Sequence, residues 1–420
     1  MAWVLATAGL LSLPAHAQLA AHALPTGGRV AAGSASISSA GNALRVDQST
    51  SKAVIDWQSF NIGSNASVRF NQPSSSSITL NRVGADGGRS LINGSMSANG
   101  QVWLLNPGGA LFGPTATINV GGLLASSLKL GNEDFMGGNY RLAKDGVGSI
   151  VNQGRLSAQD GGYIALLAPE VRNEGVITAR LGTVALASGD ELRLDFTGDR
   201  LIEVKVDQAT VNALIENKKL IEAEGGWVLM STDAAKRLSL GSVNNSGIVR
   251  ATLVEQEGQI KLLGGTTTVA GTLDVSAPNG GNGGFIETSG HSVHLDPALK
   301  VSATAPGGKT GNWLIDPNDF RIAANGNITG AALSSILANT NATIATATEG
   351  TPGGNGDIFV NDNVSWSSGN TLTLDAERNI NIGARRDRTQ SQPNRHQLEV
   401  CQRTGTCPCL WWESGFRLTC

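Results

Sequence analysis

Of 420 residues, 54 are glycine and only 15% are charged, and 31 basic side chains against 34 acidic ones leave a formal charge of -3. Such a mixture lacks the Ala, Leu, Glu and Lys that long helices favour and the net charge that sustains disorder, so a sheet-rich fold with many turns remains. No basic stripe crosses the body, which argues against nucleic acid as a partner, and all four cysteines (Cys401, Cys407, Cys409, Cys420) lie at the end, so no disulfide scaffold holds the body. The chain opens with an uncharged run, Ala2 to Leu13, then Pro14 and two small-x-small signals, Ala15-His16-Ala17 and Ala21-His22-Ala23. These predict a secretory signal peptide over 1–23, cleaved after Ala17 or Ala23. Because the first basic residue is Arg29, the true start is expected upstream of Met1. The run is too short to span a bilayer.

From about residue 150 a phrase recurs: N-Q-G-R-L-S-A at Asn152, N-E-G-V-I-T-A at Asn173, N-S-G-I-V-R-A at Asn245, and a looser copy from Val269. Between the copies stand glycine-led apolar phrases at Gly161, Gly182, Gly225, Gly258 and Gly283. A period of 21 residues from Asn152 to Asn173, and of 24 from Gly247 to Gly271, signals a solenoid of short strands. Each phrase alternates apolar and polar residues as a half-buried strand does, and its Asn or Gly is expected to take the positive φ of a sharp corner. Stacked coils of this kind make a parallel β-helix that buries one side chain in two.

Residues 192–224 break the rhythm: two alternating strands are predicted about Gly198, then a short amphipathic helix over 209–223. A second interruption falls at 303–311, followed by W-L-I-D-P-N-D-F at Trp313, a helix from Ala331 to Asn339, and strands at 357–366 and 371–382. At Ala384 the grammar stops. Six arginines, Trp411-Trp412 and every cysteine follow, so 384–420 reads as a translated frameshift or the read-through end of a truncated gene, with a small accessory tail as the rival reading.

Four stretches resemble the N-terminal secretion domain of the filamentous haemagglutinin family, the large exoproteins that Gram-negative bacteria export by two-partner secretion. They are Leu24 to Ile37, I-D-W-Q-S-F-N-I-G at Ile55, F-N-Q-P-S-S-S-S-I-T-L-N-R-V at Phe70, and V-W-L-L-N-P-G-G-A-L-F-G at Val102. G-G-F-I-E-T-S-G at Gly283 and N-W-L-I-D-P-N-D-F at Asn312 are similar to the adjoining region of the high-molecular-weight adhesin branch. Two motifs depart from the family: Asn106-Pro107-Gly108-Gly109 stands where N-P-N-G is usual, and Asn71-Gln72-Pro73-Ser74 occupies the place of N-P-N-L.

The resemblance implies a right-handed parallel β-helix with an N-terminal cap and small insertions. Its secretion domain would cover 24–150, with helix continuing over 151–302 and a further stalk segment over 303–383. It implies passage by the general secretory machinery, then by an outer-membrane β-barrel transporter with periplasmic recognition domains, and a final place in the medium or on the cell surface as an adhesin-type exoprotein. Host-cell or surface glycans are among the partners it allows. A chain that threads a pore is best without disulfides, and the first 400 residues hold no cysteine. Asn106, Pro107 and Gly108, with Asn71 and Pro73, are the implied export or recognition residues; on their own they read equally as turn-formers.

No catalytic residue, metal or cofactor is expected. His291 and His294 are three apart in a strand and so point to opposite faces. Asp274, Glu287 and Asp296 lack the period to stack and the basic neighbours that carboxylate chemistry on a β-helix would use. The alternatives are a polysaccharide-degrading β-helix enzyme, or the stalk of a toxin-delivery or haem-carrier-binding exoprotein.

Overall fold

The computed structural model describes residues 19–383, apart from 197–201, 209, 211, 233–240, 255–256 and 348–353, together with 397–402. Cleavage after Ala17, the turn at Gly198 and most of the 384–420 tail lie outside the described residues.

Strands take turns on three faces of a parallel β-helix. The widest face runs in the order Arg29–Ala32, Lys52–Trp57, Ile78–Val83, Gln101–Leu105, Gly122–Ser126, Tyr163–Leu167, Thr183–Ala187, Trp227–Ser231, Gln259–Leu263, Phe285–Ser289, Asn312–Asp316, Asn341–Ala345 and Thr371–Ala376, with Gln397–Gln402 beside the last. The second face carries eleven strands from Ala35–Ala40 to Lys300–Ser302, and the third eight from Ser90–Ile92 to Ser292–Leu295. Beyond them Phe320–Ile322, Ile358–Val360 and Ile380–Ile382 form a short parallel sheet. The glycine-led phrases are the successive strands of the widest face, as their alternation implied.

Inside, like sits on like. Leu156, Ile177, Ile221, Val249, Leu273 and Val301 stack in register along the second face, all buried. The N-terminal end is closed by antiparallel pairing: Arg29–Ala32 runs against Lys52–Trp57, and Ala35–Ala40 against Ala43–Gln48. These strands occupy the backbone groups of the first coil, which would otherwise form an open edge.

Three expectations are corrected. Residues 209–223 hold no helix among those described; Leu214–Asn217 and Leu220–Glu222 are strands of the third and second faces. Asn217-Lys218-Lys219-Leu220-Ile221-Glu222-Ala223 is a further copy of the asparagine phrase, displaced from its period by the hairpin inserted before it. Coil-to-coil pairing on both sides overrides a helical pattern in so short a segment.

The asparagines, second, do not take positive φ. Among the described residues only Leu181 and Asn212 do so without being glycine. Asn152, Asn173, Asn217 and Asn245 instead form a buried ladder, each side-chain amide donating to the next carboxamide oxygen at 2.8, 2.8 and 2.7 Å. The positive φ is taken by glycines instead, at Gly161, Gly225 and Gly271 with φ 75°, 64° and 72°, and other glycines of these phrases serve close approach: a Cβ on Gly162, Gly182 or Gly226 would strike the carbonyl oxygen of Gly121, Gly162 or Gly182 respectively, one coil below.

Third, one side chain in two is not the rule on the widest face. Gly122–Ser126, Tyr163–Leu167 and Thr183–Ala187 are buried throughout. Their outer side is roofed by a helix, Asn132–Gly137, and by Arg141–Ala143 paired antiparallel with the predicted hairpin, Glu191–Phe196 and Ile202–Gln208. Leu192, Leu194, Val204, Val206, Phe135 and Leu142 make a second core with Trp103. The indole N–H of Trp103 donates to the Tyr163 hydroxyl at 2.6 Å, and Phe135, Tyr140 and Phe196 pack round it at 5.5, 4.9 and 6.2 Å between centroids. Lys52 fastens this roof to the first coil, donating to the Phe135 and Met136 carbonyls at the helix C-terminus at 3.0 and 3.2 Å. The second predicted helix is present as Gly330–Leu337, capped by the Thr329 hydroxyl, which accepts from the Ala332 amide.

Candidate export determinants and family membership

Asn106 ends the strand Gln101–Leu105, and Pro107-Gly108-Gly109 turns the chain onto the third face. Proline supplies the fixed φ and Gly109, at φ 79°, the left-handed residue that the turn demands. The Gly109 amide donates to the Asn106 carbonyl at 2.8 Å, and the Gly108 amide to the Asn106 carboxamide oxygen at 2.8 Å. The Asn106 side chain is buried and donates outward to the Gly88 carbonyl and the Ser90 hydroxyl, both at 2.9 Å, tying the turn to the preceding coil. From the following coil the Gly148 amide donates to the Pro107 carbonyl at 3.1 Å, and a Cβ on Gly148 would clash with Gly108. The corner is therefore clamped from both sides, with the half-buried Pro107 ring its outward feature.

Asn71 and Pro73 stand elsewhere: Asn71 closes the second-face strand Ser67–Asn71, and Pro73 lies in the loop that follows it and enters the widest face, not in the one that leaves it. The structure does not bring the two motifs together. Asn71 accepts from Arg69 at 2.9 Å and donates to Asp47 at 2.7 Å. That hydrogen bond, followed by the Arg45 guanidinium at 2.8 Å, holds the Asp47 carboxyl below its usual range. Pro73 is exposed and its ring only shapes the loop.

The residue that pins this loop is Gln72, which sequence reasoning passed over. Its buried amide donates to Thr79 at 3.0 Å and to the Ser77 and Gln101 carbonyls at 3.1 and 2.9 Å, and its oxygen accepts from the Gly100 amide at 2.9 Å. Asn99, one coil on, grips the Gln72 backbone twice, at 2.8 and 2.7 Å. A polar residue at an otherwise apolar inward position was the available signal.

Beside Pro107 runs a shallow groove of about 480 Å³, bordered by Asp56, Trp57, Arg82, Lys129 and Asp145. Its charges satisfy one another, Arg82 with Asp56 at 2.7 Å and Lys129 with Asp145 at 3.9 Å, leaving no convergent acid-base pair. Asp274, Glu287 and Asp296 fall on or beside three different faces. Contrary to expectation two of them have basic neighbours, Asp274 facing Arg250 at 3.6 Å and Glu287 facing Lys261 at 3.0 Å; these are adjacent-coil ion pairs, with the spacing of neighbouring strands. His294 is exposed and His291 lies in the turn before its strand; no cluster of three metal-ligating side chains occurs among the described residues.

The fold as a whole is that of the HMW1 secretion domain from Haemophilus influenzae: the two superpose with a TM-score of 0.61 over 90% of this chain and 100% of the other, at 21% identity. A heme/hemopexin-binding protein of Haemophilus influenzae strain Rd is 37% identical over 210 residues, 48% of this chain, and another from the same species is 29% identical over 301 residues, 65% of this chain. The chain spans only 23% and 31% of the lengths of these two relatives in those alignments. Residues 21–287, which include the cap, both loops, the roofed face and the asparagine ladder, match the model of the TPS secretion domain, and the chain belongs to that family.

Proposed function

We propose that residues 21–287 take this chain through an outer-membrane β-barrel transporter and seed the β-helix on the far side, with the clamped Asn106-Pro107-Gly108 corner and the pinned 71–77 loop as the folding seeds. A TPS secretion domain implies such a barrel as partner and secretion across the outer membrane. The observation that carries the mechanism is the asymmetry of the helix ends. Antiparallel strands close the N-terminal coil, so new coils add only at the C-terminal side. Each added coil buries apolar side chains, worth about 25 cal/mol per Å² removed from water, and so opposes backsliding into the pore without any nucleotide. Periplasmic recognition would read Asn71, Pro73 and Asn106 in the chain before it folds, because in the folded molecule Asn106 is buried and Asn71 is held by Arg69 and Asp47. Co-expression with a partner barrel tests this: deletion of 24–130 abolishes appearance in the medium, and continued export of that deletion refutes it.

The exported protein would act in the medium or at the cell surface, as an adhesin-type exoprotein. A second reading, capture of haem or of hemopexin, is favoured by the names of the two relatives. Retention of the exported protein on haem-agarose or on immobilised hemopexin checks it, and passage through both columns rejects it.

A further inference from the structure

Four of the five tryptophans among the described residues are buried with their indole N–H satisfied: Trp57 donates to Asn81 at 2.9 Å, Trp103 to Tyr163 at 2.6 Å, Trp313 to Thr288 at 2.5 Å and Trp366 to the Asn370 carbonyl at 2.8 Å. Trp227 is the exception. It lies half-buried on the outer side of the widest face, in the first coil beyond the hairpin roof, and its indole N–H has no partner among the described residues. Register continues the column outward from it: Trp227, Gln259, Phe285 and Asn312 stand side by side on consecutive coils. All four are half-buried, and the side-chain amides of Gln259 and Asn312 are likewise without hydrogen-bond partners among the described residues.

We propose that this column is a binding face for an extended, neutral polysaccharide lying along the helix axis. Consecutive coils are about 4.8 Å apart, so the two aromatic rings stand about 9.6 Å apart. That separation matches the disaccharide repeat of a β-1,4-linked pyranose chain, in which every second ring presents the same face. Rings supply flat apolar contact, while the free indole N–H and the interleaved amides supply donors and acceptors for hydroxyls. Charge selects the neutral class. Lys261, the cation on the neighbouring column, has its charge engaged by Glu287 at 3.0 Å and stands 6.0 Å from the Phe285 centroid, so the face has no free charge to recognise an anionic glycan.

The purified full chain is titrated with cellohexaose and xylohexaose, and separately with heparin, following tryptophan fluorescence and heat. One neutral hexaose binds. Trp227→Ala and Phe285→Ala each weaken it about tenfold, and Ile248→Ala, on the second face, leaves it unchanged. Gln259→Leu and Asn312→Leu, which keep both rings, also weaken it, so a folding defect in an aromatic variant does not decide the matter. Failure of both hexaoses to bind, binding of heparin alone, or full binding by the Trp227→Ala/Phe285→Ala double variant overturns the proposal. None of these readouts depends on export, so failure here leaves the secretion reading standing.

Discussion

Asn152 donates its side-chain amide to the carboxamide oxygen of Asn173, one coil on and 2.8 Å away, in the interior of the protein. Asn173 passes the pattern to Asn217 at 2.8 Å and also accepts from the Gly175 amide at 3.3 Å. Every carboxamide in the column thus serves its own corner and its neighbour. Replacement of Asn173 by alanine leaves a buried donor on one side and a buried acceptor on the other, each costing about 1–3 kcal/mol. Asn173→Ala is expected to lower unfolding free energy by about 3 kcal/mol, seen as a lower urea midpoint at unchanged slope. Asn173→Asp is expected to lose more, because a carboxylate cannot donate to Asn217 and would be buried charged.

Much of this architecture was legible because β-helix coils are nearly local structures. Asn152, Asn173 and Asn245 mark corners in the sequence, and Gly161, Gly182, Gly225, Gly258 and Gly283 announce the strands of one face. What escaped was set by neighbours in space. Asn217 was hidden because the hairpin at 191–208 stretches its spacing from Asn173 to 44 residues. The short helix Asn132–Gly137, with one buried side chain, Phe135, has too little periodicity to read. Gln72 is betrayed only by burial, and the burial of the outward residues in Tyr163–Leu167 and Thr183–Ala187 has its reason in the roof, contributed by the helix Asn132–Gly137 before them and by the hairpin Glu191–Phe196 and Ile202–Gln208 after them.

Gly182 illustrates a requirement that comes from the coil beneath. A Cβ there would strike the Gly162 carbonyl oxygen, which is backbone and cannot swing aside. Gly182→Ala is expected to cost about 2–3 kcal/mol, in the range of core overpacking, and to raise protease sensitivity in the coils that follow. Gly137→Ala, at the end of the short helix with open space around it, is expected to be neutral or to gain about 0.5–1 kcal/mol. A pair of thermal melts distinguishes the two.

At the 106–109 corner, the structure ranks the residues. Asn106 makes two donor bonds to the previous coil and accepts one within the turn, whereas Pro107 contributes its fixed φ and a half-exposed ring. Asn106→Ala is expected to lose about 2–4 kcal/mol and to cut the amount of chain in the medium sharply. Pro107→Ala should cost less than 1 kcal/mol and export at nearly the parental level. Equal export by both variants would remove Asn106 from the seeding role; an export loss confined to Pro107→Ala would move recognition onto the exposed ring. Quantitative blotting of medium and cells, alongside refolding of the purified variants, supplies both readouts.

Near the C-terminal end of the described helix, Asp357 is a buried carboxylate that Arg378 engages through two nitrogens, at 2.8 and 2.5 Å, with Asn379 donating at 3.1 Å. The Arg378 hydrogen bond is the main reason that the Asp357 carboxyl sits below its reference value of 3.8, and burial opposes it; the same pair, with Asp319 nearby, raises Arg378. A carboxyl depressed in the folded state contributes stability that is complete above its unfolded value and fades as pH falls through the folded one. The small sheet of Phe320–Ile322, Ile358–Val360 and Ile380–Ile382 is therefore expected to loosen first on acidification below pH 3.8, ahead of the coils held by the asparagine ladder. Hydrogen exchange read peptide by peptide checks this. Asp357→Asn should exchange faster at neutral pH and respond less to acid, because the group that titrates is gone; an unchanged acid response in that variant would assign the loosening to another carboxyl.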